Sequence, residues 1–188
     1  MNFENLSHVR PKPTGEGKWA AVSIIIDESK NSVLVVKRTE REDDPWSGDI
    51  AFPGGKYIDE DGDLINTAIR ETREETGIEL GESDFRGVME VHSPSNSSLI
   101  KVLPVVFTVE KIDNIKINLN EVVSYYWLPL DLHDAVLIKQ KMKGIYNNWT
   151  ILYNGIVIWG MTYRIYRSLL EKLNLGYLPW DETGENSQ

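Results

Sequence analysis

Apolar and polar positions along the chain switch between two periods. Trp19–Asp27 (WAAVSIIID) and Ser32–Arg38 (SVLVVKR) are near-continuous apolar runs split by Glu28-Ser29-Lys30-Asn31. Such runs, bounded by turn residues, predict a hairpin of two strands buried on both faces. Ile50-Ala51-Phe52 predicts a short strand entering the Pro53-Gly54-Gly55 turn. Phe85–Val91 and Leu99–Val109 predict a further strand pair, with Pro104 placing its strand at an edge or at a bulge. Val122–Leu128 predicts a strand ending at Pro129, and Asp131–Ala135 a short helical turn. From Ile138 to Thr150 lysines alternate with apolar residues and fix no element. A helix is predicted between the acidic loop after Gly55 and Gly77. A second spans Ile158–Leu173, where apolar residues at 158, 161, 165, 169, 170 and 173 share one face.

The remaining stretches are connections. Residues 1–17 are polar, hold Pro11, Pro13, Gly15 and Gly17, and predict an arm or loop, mobile at its start. Thr39–Asp49 (TEREDDPWSGD) has no period and is longer than a simple connection needs, which points to function. Residues 176–188 form a polar tail with Tyr177 and Trp180 as anchors. Strands interrupted by one acidic helix and closed by another give an α+β sandwich around a mixed sheet. The 188 residues predict a single domain.

Composition narrows the chemistry. The absence of cysteine excludes disulfides and thiolate metal sites, and three scattered histidines argue against zinc. A net charge of −9 opposes a sequence-independent nucleic-acid binder. It leaves a phosphorylated small molecule open, because a few local cations suffice to hold one. Without a signal-like or membrane-length apolar run, the default expectation is a cytoplasmic enzyme with no membrane partner.

The chemistry concentrates between Phe52 and Ile78, FPGGKYIDEDGDLINTAIRETREETGI. At 3.6 residues per turn, Glu71, Glu74 and Glu75 fall within an arc of roughly 100°, with Ile65 and Ile69 pointing elsewhere. Glutamates on a helix are ordinarily a solvated face. Here Gly54 and Gly55 let main chain approach a ligand or ion, and Arg70 can reach Glu74 one turn on. A hard divalent cation is the natural partner for such an oxygen cluster.

Arg70-Glu71-Thr72-Arg73-Glu74-Glu75-Thr76-Gly77-Ile78 resembles the second half of the Nudix signature, with Thr72 in place of an apolar residue. The first half departs. The loop from Gly55 is one residue longer, and Gly62 stands where an earlier glutamate falls, leaving Asp61 or Asp63 to take over its bracing role. The resemblance implies a Nudix-type α/β/α sandwich that hydrolyses nucleoside-diphosphate derivatives with Mg²⁺ or Mn²⁺. By the same resemblance Glu71, Glu74 and Glu75 are metal ligands or base, the Gly54 carbonyl is a further ligand, and Arg70 orients the glutamates. Glu121, just before the late strand, either completes the metal site, acts as base, or is a solvated loop residue. A homodimer is compatible with the resemblance.

A narrower resemblance joins Arg38, Trp46–Gly55, Asp61, Thr67–Glu71 and Ile158–Thr162 to the coenzyme A diphosphatase branch. It implies cleavage of coenzyme A to 4′-phosphopantetheine and 3′,5′-ADP. The alternatives are another nucleotide (ADP-ribose, NADH, a dinucleoside polyphosphate or a noncanonical triphosphate) or a binding module without catalysis. Arg38 and Arg41 are the candidate phosphate contacts, with Gly55 beside them. Among the aromatics, Trp46 lies closest to the presumed site.

Overall fold

The computed structural model describes residues 1–42, 46–95, 97, 99–131, 135–143 and 145–175, the side chains of 145–147 excepted. The elements run β1 (Lys18–Asp27), β2 (Ser32–Arg38), β3 (Ile50–Ala51), β4 (Gly54–Lys56), α1 (Leu64–Thr76), β5 (Phe85–Val88), β6 (Ile100–Val109), β7 (Val122–Pro129), β8 (Val136–Met142), β9 (Ile145–Tyr153), β10 (Ile156–Trp159) and α2 (Gly160–Lys172).

Seven of these strands form a mixed sheet. β1 and β6 are parallel over ten residue pairs, while β2 pairs antiparallel with both β1 and β7. The β1–β2 hairpin turns where the sequence predicts, with Asn31 in the left-handed region. The two strands touch only at Ile26–Val33 and Asp27–Ser32 and then part. Beyond the split β1 takes β4 as its partner and β2 takes β3. The Phe52-Pro53-Gly54 turn therefore spans the opening between two central strands.

Alternation along β1 explains its unbroken apolar run. Ala21 and Ile25 pack with Leu64, Ile65 and Ala68 of α1, whereas Ile24 and Ile26 pack with Tyr166, Leu169 and Leu170 of α2. The sheet is thus covered by a helix on each face, the α/β/α arrangement expected from the sequence. β8, β9 and β10 make a second, antiparallel sheet leading into α2. This resolves 138–150 as most of two strands.

Three expectations change. Ile158 and Trp159 belong to β10, and the helix begins at Gly160. Pro104 lies inside a central strand, opposite Val22 of β1. Its missing N–H is tolerated because that side of β6 faces the gap between the end of β5 and the His92–Val102 bridge, where only the Pro104 carbonyl is used, by the Met89 amide. Residues 1–17 are docked rather than free at their start: Leu6 is buried, Ser7 bridges Val88, and Arg10 pairs with Asp63 and Glu82. The helical turn at 131–135 falls mostly outside the described residues, and the tail at 176–188 wholly so.

Candidate active site

Helix α1 starts where Asp63 accepts from the Asn66 amide and stops at Gly77, whose positive φ of 69° lets its N–H return to the Arg73 carbonyl. Its sheet-facing side buries Leu64, Ile65, Ala68 and Thr72. One flank then presents Arg70, Glu71, Glu74 and Glu75 to the split in the sheet.

Arg70 is the hub of this flank. Its guanidinium donates to Asp61 through Nε (2.8 Å) and Nη2 (3.0 Å), to Glu71 (2.8 Å) and to Glu74 (3.0 Å), and to the Lys56 carbonyl (3.0 Å). Asp61 also accepts from Thr67 Oγ1 at 2.7 Å and from the Ile58 amide. Burial works against its charge, yet the bonds from Arg70, Thr67 and Ile58 hold its carboxyl below the usual range. Asp63 is engaged at the helix N-terminus and with Arg10. Of the two aspartates left open by the sequence, Asp61 is the one that braces Arg70.

The Pro-Gly-Gly turn meets the same flank. The Gly54 N–H donates to Glu75 Oε2 at 3.0 Å. A Cβ on Gly54, at φ 154°, would lie 2.2 Å from the Ala21 carbonyl oxygen, and one on Gly55 would lie 2.4 Å from the Glu71 carboxyl carbon. Both positions require glycine for close approach, one to backbone and one to a carboxylate.

Glu121 arrives from the far side. The carbonyls left open at the end of α1 are met by a loop: the Lys116 amide donates to Thr76 and the Asn118 amide to Glu75. Asn118 in turn holds the Glu121 carboxylate at 3.2 Å. Carboxylate oxygens of Glu71, Glu75 and Glu121 consequently lie within 4.8 Å of one another. Glu74 stands outside this trio, with its side chain 45% exposed and turned to Arg70.

The trio is electrostatically tense. Glu75 is only 4% exposed, and burial pushes its carboxyl up to about 8, reinforced by Glu71 and Glu121 and opposed by Gly54 and Arg38. Burial likewise raises Glu71, against the pull of Arg70. A clustered all-oxygen group, with Glu75 buried and both Glu71 and Glu75 harder to ionise than usual, matches the donor set of a hard divalent cation.

Beside the trio lies a cavity of about 410 Å³, bordered by Gly54, Gly55 and Arg38. A register shift between Lys37 and Arg38 sits where β2 leaves the sheet toward it. Trp46, Phe52, Trp159 and Met161 give it mostly apolar walls. Thr162 Oγ1 donates to the Ile50 carbonyl at 2.9 Å and Trp159 Nε1 to Asp49 at 3.3 Å, so the 46–55 and 158–162 segments, far apart in sequence, form one wall. Arg41 instead donates to the Asn120 carbonyl at 2.6 Å, bracing the loop that carries Glu121.

Sequence reasoning missed Lys143. It reaches from the β8 end to Asp49 (2.9 Å) and the Ser47 carbonyl (3.0 Å) and borders the cavity. No signal in the alternating 138–150 stretch marks it.

A NUDIX domain model matches residues 17–156. The chain belongs to the Nudix hydrolase family. Among its Nudix relatives, the human mitochondrial coenzyme A diphosphatase NUDT8 is 30% identical over 156 residues, 77% of this chain and 64% of that protein. The chain thus spans 64% of the length of that relative. The uncharacterized Nudix hydrolase NudL of Yersinia enterocolitica is 31% identical over 185 residues, 88% of each chain. Among solved structures, the bifunctional NMN adenylyltransferase/ADP ribose pyrophosphatase of Francisella tularensis superposes with a TM-score of 0.57 at 20% identity, over 85% of this chain and 42% of that one. The MutT protein of Methanosarcina mazei does so at 0.52 and 21%, over 87% and 100%. These two share the fold. Among the described residues, no helix is long and apolar enough to cross a membrane.

Proposed function

We propose that this Nudix hydrolase cleaves the pyrophosphate linkage of coenzyme A, giving 4′-phosphopantetheine and 3′,5′-ADP. The observation that carries the hydrolytic reading is the Glu71–Glu75–Glu121 trio, set against Gly54 and Gly55, which line a cavity that Arg38 also borders. Mg²⁺ or Mn²⁺ fits this donor set, with the Gly54 main chain as a further ligand; Glu74, turned to Arg70 outside the trio, would join it only on leaving that ion pair. When bound, such a cation neutralises phosphate oxygens and lowers the pKa of a coordinated water. Arg70, braced by Asp61, keeps the Glu71 and Glu74 carboxylates in place. Arg38 supplies a positive charge for a phosphate oxygen. One of the glutamates takes the proton of the attacking water as the phosphoanhydride bond breaks and the second phosphate leaves. The apolar walls then accept the part of the substrate that carries no phosphate.

Coenzyme A is favoured by the human and mouse relatives named as its diphosphatases. It is favoured too by the meeting of the 46–55 and 158–162 segments in one wall.

The test is turnover of a substrate panel by purified protein with Mg²⁺ or Mn²⁺: coenzyme A, ADP-ribose, NADH, a dinucleoside polyphosphate and a noncanonical triphosphate. Products are identified by mass. Coenzyme A is expected to give the highest kcat/KM; a value no higher than that for ADP-ribose overturns the assignment. No turnover with either metal points to a binding module.

A further inference from the structure

Position 72 departs from the Nudix signature, with a threonine where an apolar residue is expected. The side chain does not merely fill that place. Thr72 and Ser23 are both wholly buried, and Thr72 Oγ1 donates to Ser23 Oγ at 2.7 Å. Ser23 Oγ donates onward to the Ala68 carbonyl at 3.0 Å, one turn back along α1.

Ser23 also faces the other half of the site. Its N–H donates to the Pro53 carbonyl at 2.8 Å, and the next residue, Gly54, donates to Glu75 at 3.0 Å. Glu75 lies on α1 one turn beyond Thr72. The bonds therefore close a ring: β1 to the turn through Ser23 and Pro53, the turn to the helix through Gly54 and Glu75, and the helix to β1 through Thr72 and Ser23.

We infer that Ser23 and Thr72 are positioning residues that set α1 against the Pro-Gly-Gly turn, so that Glu71 and Glu75 hold the cation in register with the Gly54 main chain. The physical reason is leverage. The turn and the helix belong to different elements, and packing by Leu64 and Ala68 is non-directional, so it permits small sliding of the helix along β1. Hydrogen bonds are directional and set that slide. Neither hydroxyl has access to substrate or solvent, so neither is a catalytic residue. The inference rests on the proposed metal role of the trio.

The test uses Thr72→Val, Ser23→Ala, the double variant and Thr72→Ser. Each is measured for Mn²⁺ affinity by electron paramagnetic resonance without substrate, for kcat and KM, and for Tm. Thr72→Val keeps shape but removes the bond, and is expected to weaken Mn²⁺ binding and kcat about 10-fold, the scale on which outer groups tune a metal site. Thr72→Ser restores both. The double variant should lose little more than either single one, because the two act through one bond.

A fall in Tm with Mn²⁺ affinity and kcat unchanged overturns the inference and leaves a structural hydrogen bond. Glu75→Gln separates the two readings. If wild type binds no Mn²⁺, or Glu75→Gln binds it equally, the metal role fails and the inference fails with it. If Glu75→Gln loses binding while Thr72→Val does not, the positioning role alone fails. If Thr72→Val does not fold, Ser23→Ala carries the test: Mn²⁺ affinity lowered about 10-fold supports the inference, and affinity unchanged from wild type overturns it.

Discussion

Arg70 grips Asp61 with two nitrogens, Nε at 2.8 Å and Nη2 at 3.0 Å, and uses the rest of its guanidinium on Glu71, Glu74 and a main-chain carbonyl. Asp61 is nearly buried, so this grip is shielded from water. Replacing Asp61 by Asn leaves Arg70 less well held and lets Glu71 and Glu74 drift. Asp61→Asn is expected to cost about 1–3 kcal/mol in stability and to lower turnover about 10- to 100-fold. Denaturant unfolding and kcat measure both, and unchanged kcat would show that the brace is dispensable to the site.

The two glycines of the turn should fail differently. Gly55→Ala places a Cβ against the end of the Glu71 side chain, which can swing away, so Tm should hold while Mn²⁺ binding and kcat collapse. Gly54→Ala drives a Cβ into the Ala21 carbonyl at a positive φ, and backbone there cannot give. It should destabilise the fold by more than about 2 kcal/mol. Equal Tm losses in the two variants would refute this division.

Glu121→Gln removes one carboxylate of the trio without touching α1. Mn²⁺ affinity should drop about 10-fold or more while Tm stays the same or rises, because a source of repulsion on Glu75 is gone. Unaltered Mn²⁺ binding would return Glu121 to the role of a loop residue.

Acid stability should depend on another buried carboxylate, remote from the site. Asp27 is completely buried and bonds Lys30, Ser29 and the Ile112 amide. Burial opposes its charge, but those bonds hold its carboxyl below the ordinary 3.8. The folded chain therefore binds fewer protons than the unfolded chain as pH falls, so the stabilisation is complete above the ordinary value and is lost as pH drops through the folded one. Asp27→Asn should be less stable at neutral pH and show a shallower loss on acidification. A parallel pair of stability curves would contradict this.

Lys143 closes the cavity wall by pairing with Asp49. Lys143→Met should raise KM for an anionic substrate several-fold while changing kcat little, since the residue lies away from the trio. Steady-state kinetics at two salt concentrations decides; a fall in kcat alone would place Lys143 elsewhere in the cycle.

The strand pair 19–38, the glycine turn and the acidic flank were legible because each is written in local periodicity. Pro104 was misplaced because a single residue cannot say which side of its strand is already unpaired. The start of α2 was misjudged because Ile158 and Trp159 fit a helical face as well as a strand. Lys143 gave no signal, since a lysine at a strand end is ordinary until its neighbours are known.

By itself, the sequence determined which residues bury on both faces and which carboxylates share one turn of helix. It also marked the Pro53-Gly54-Gly55 turn as a place where main chain can come close to another group. Short-range geometry sets those properties: a fixed rise, a fixed turn angle and the backbone freedom of glycine. The tertiary structure alone decided that Glu121 joins Glu71 and Glu75, that Asp61 rather than Asp63 holds Arg70, and that Thr72 answers Ser23. Those pairings depend on strand register, on the split between β1 and β2, and on a loop satisfying the last carbonyls of α1. Each is a long-range contact, fixed only once the whole sheet has closed.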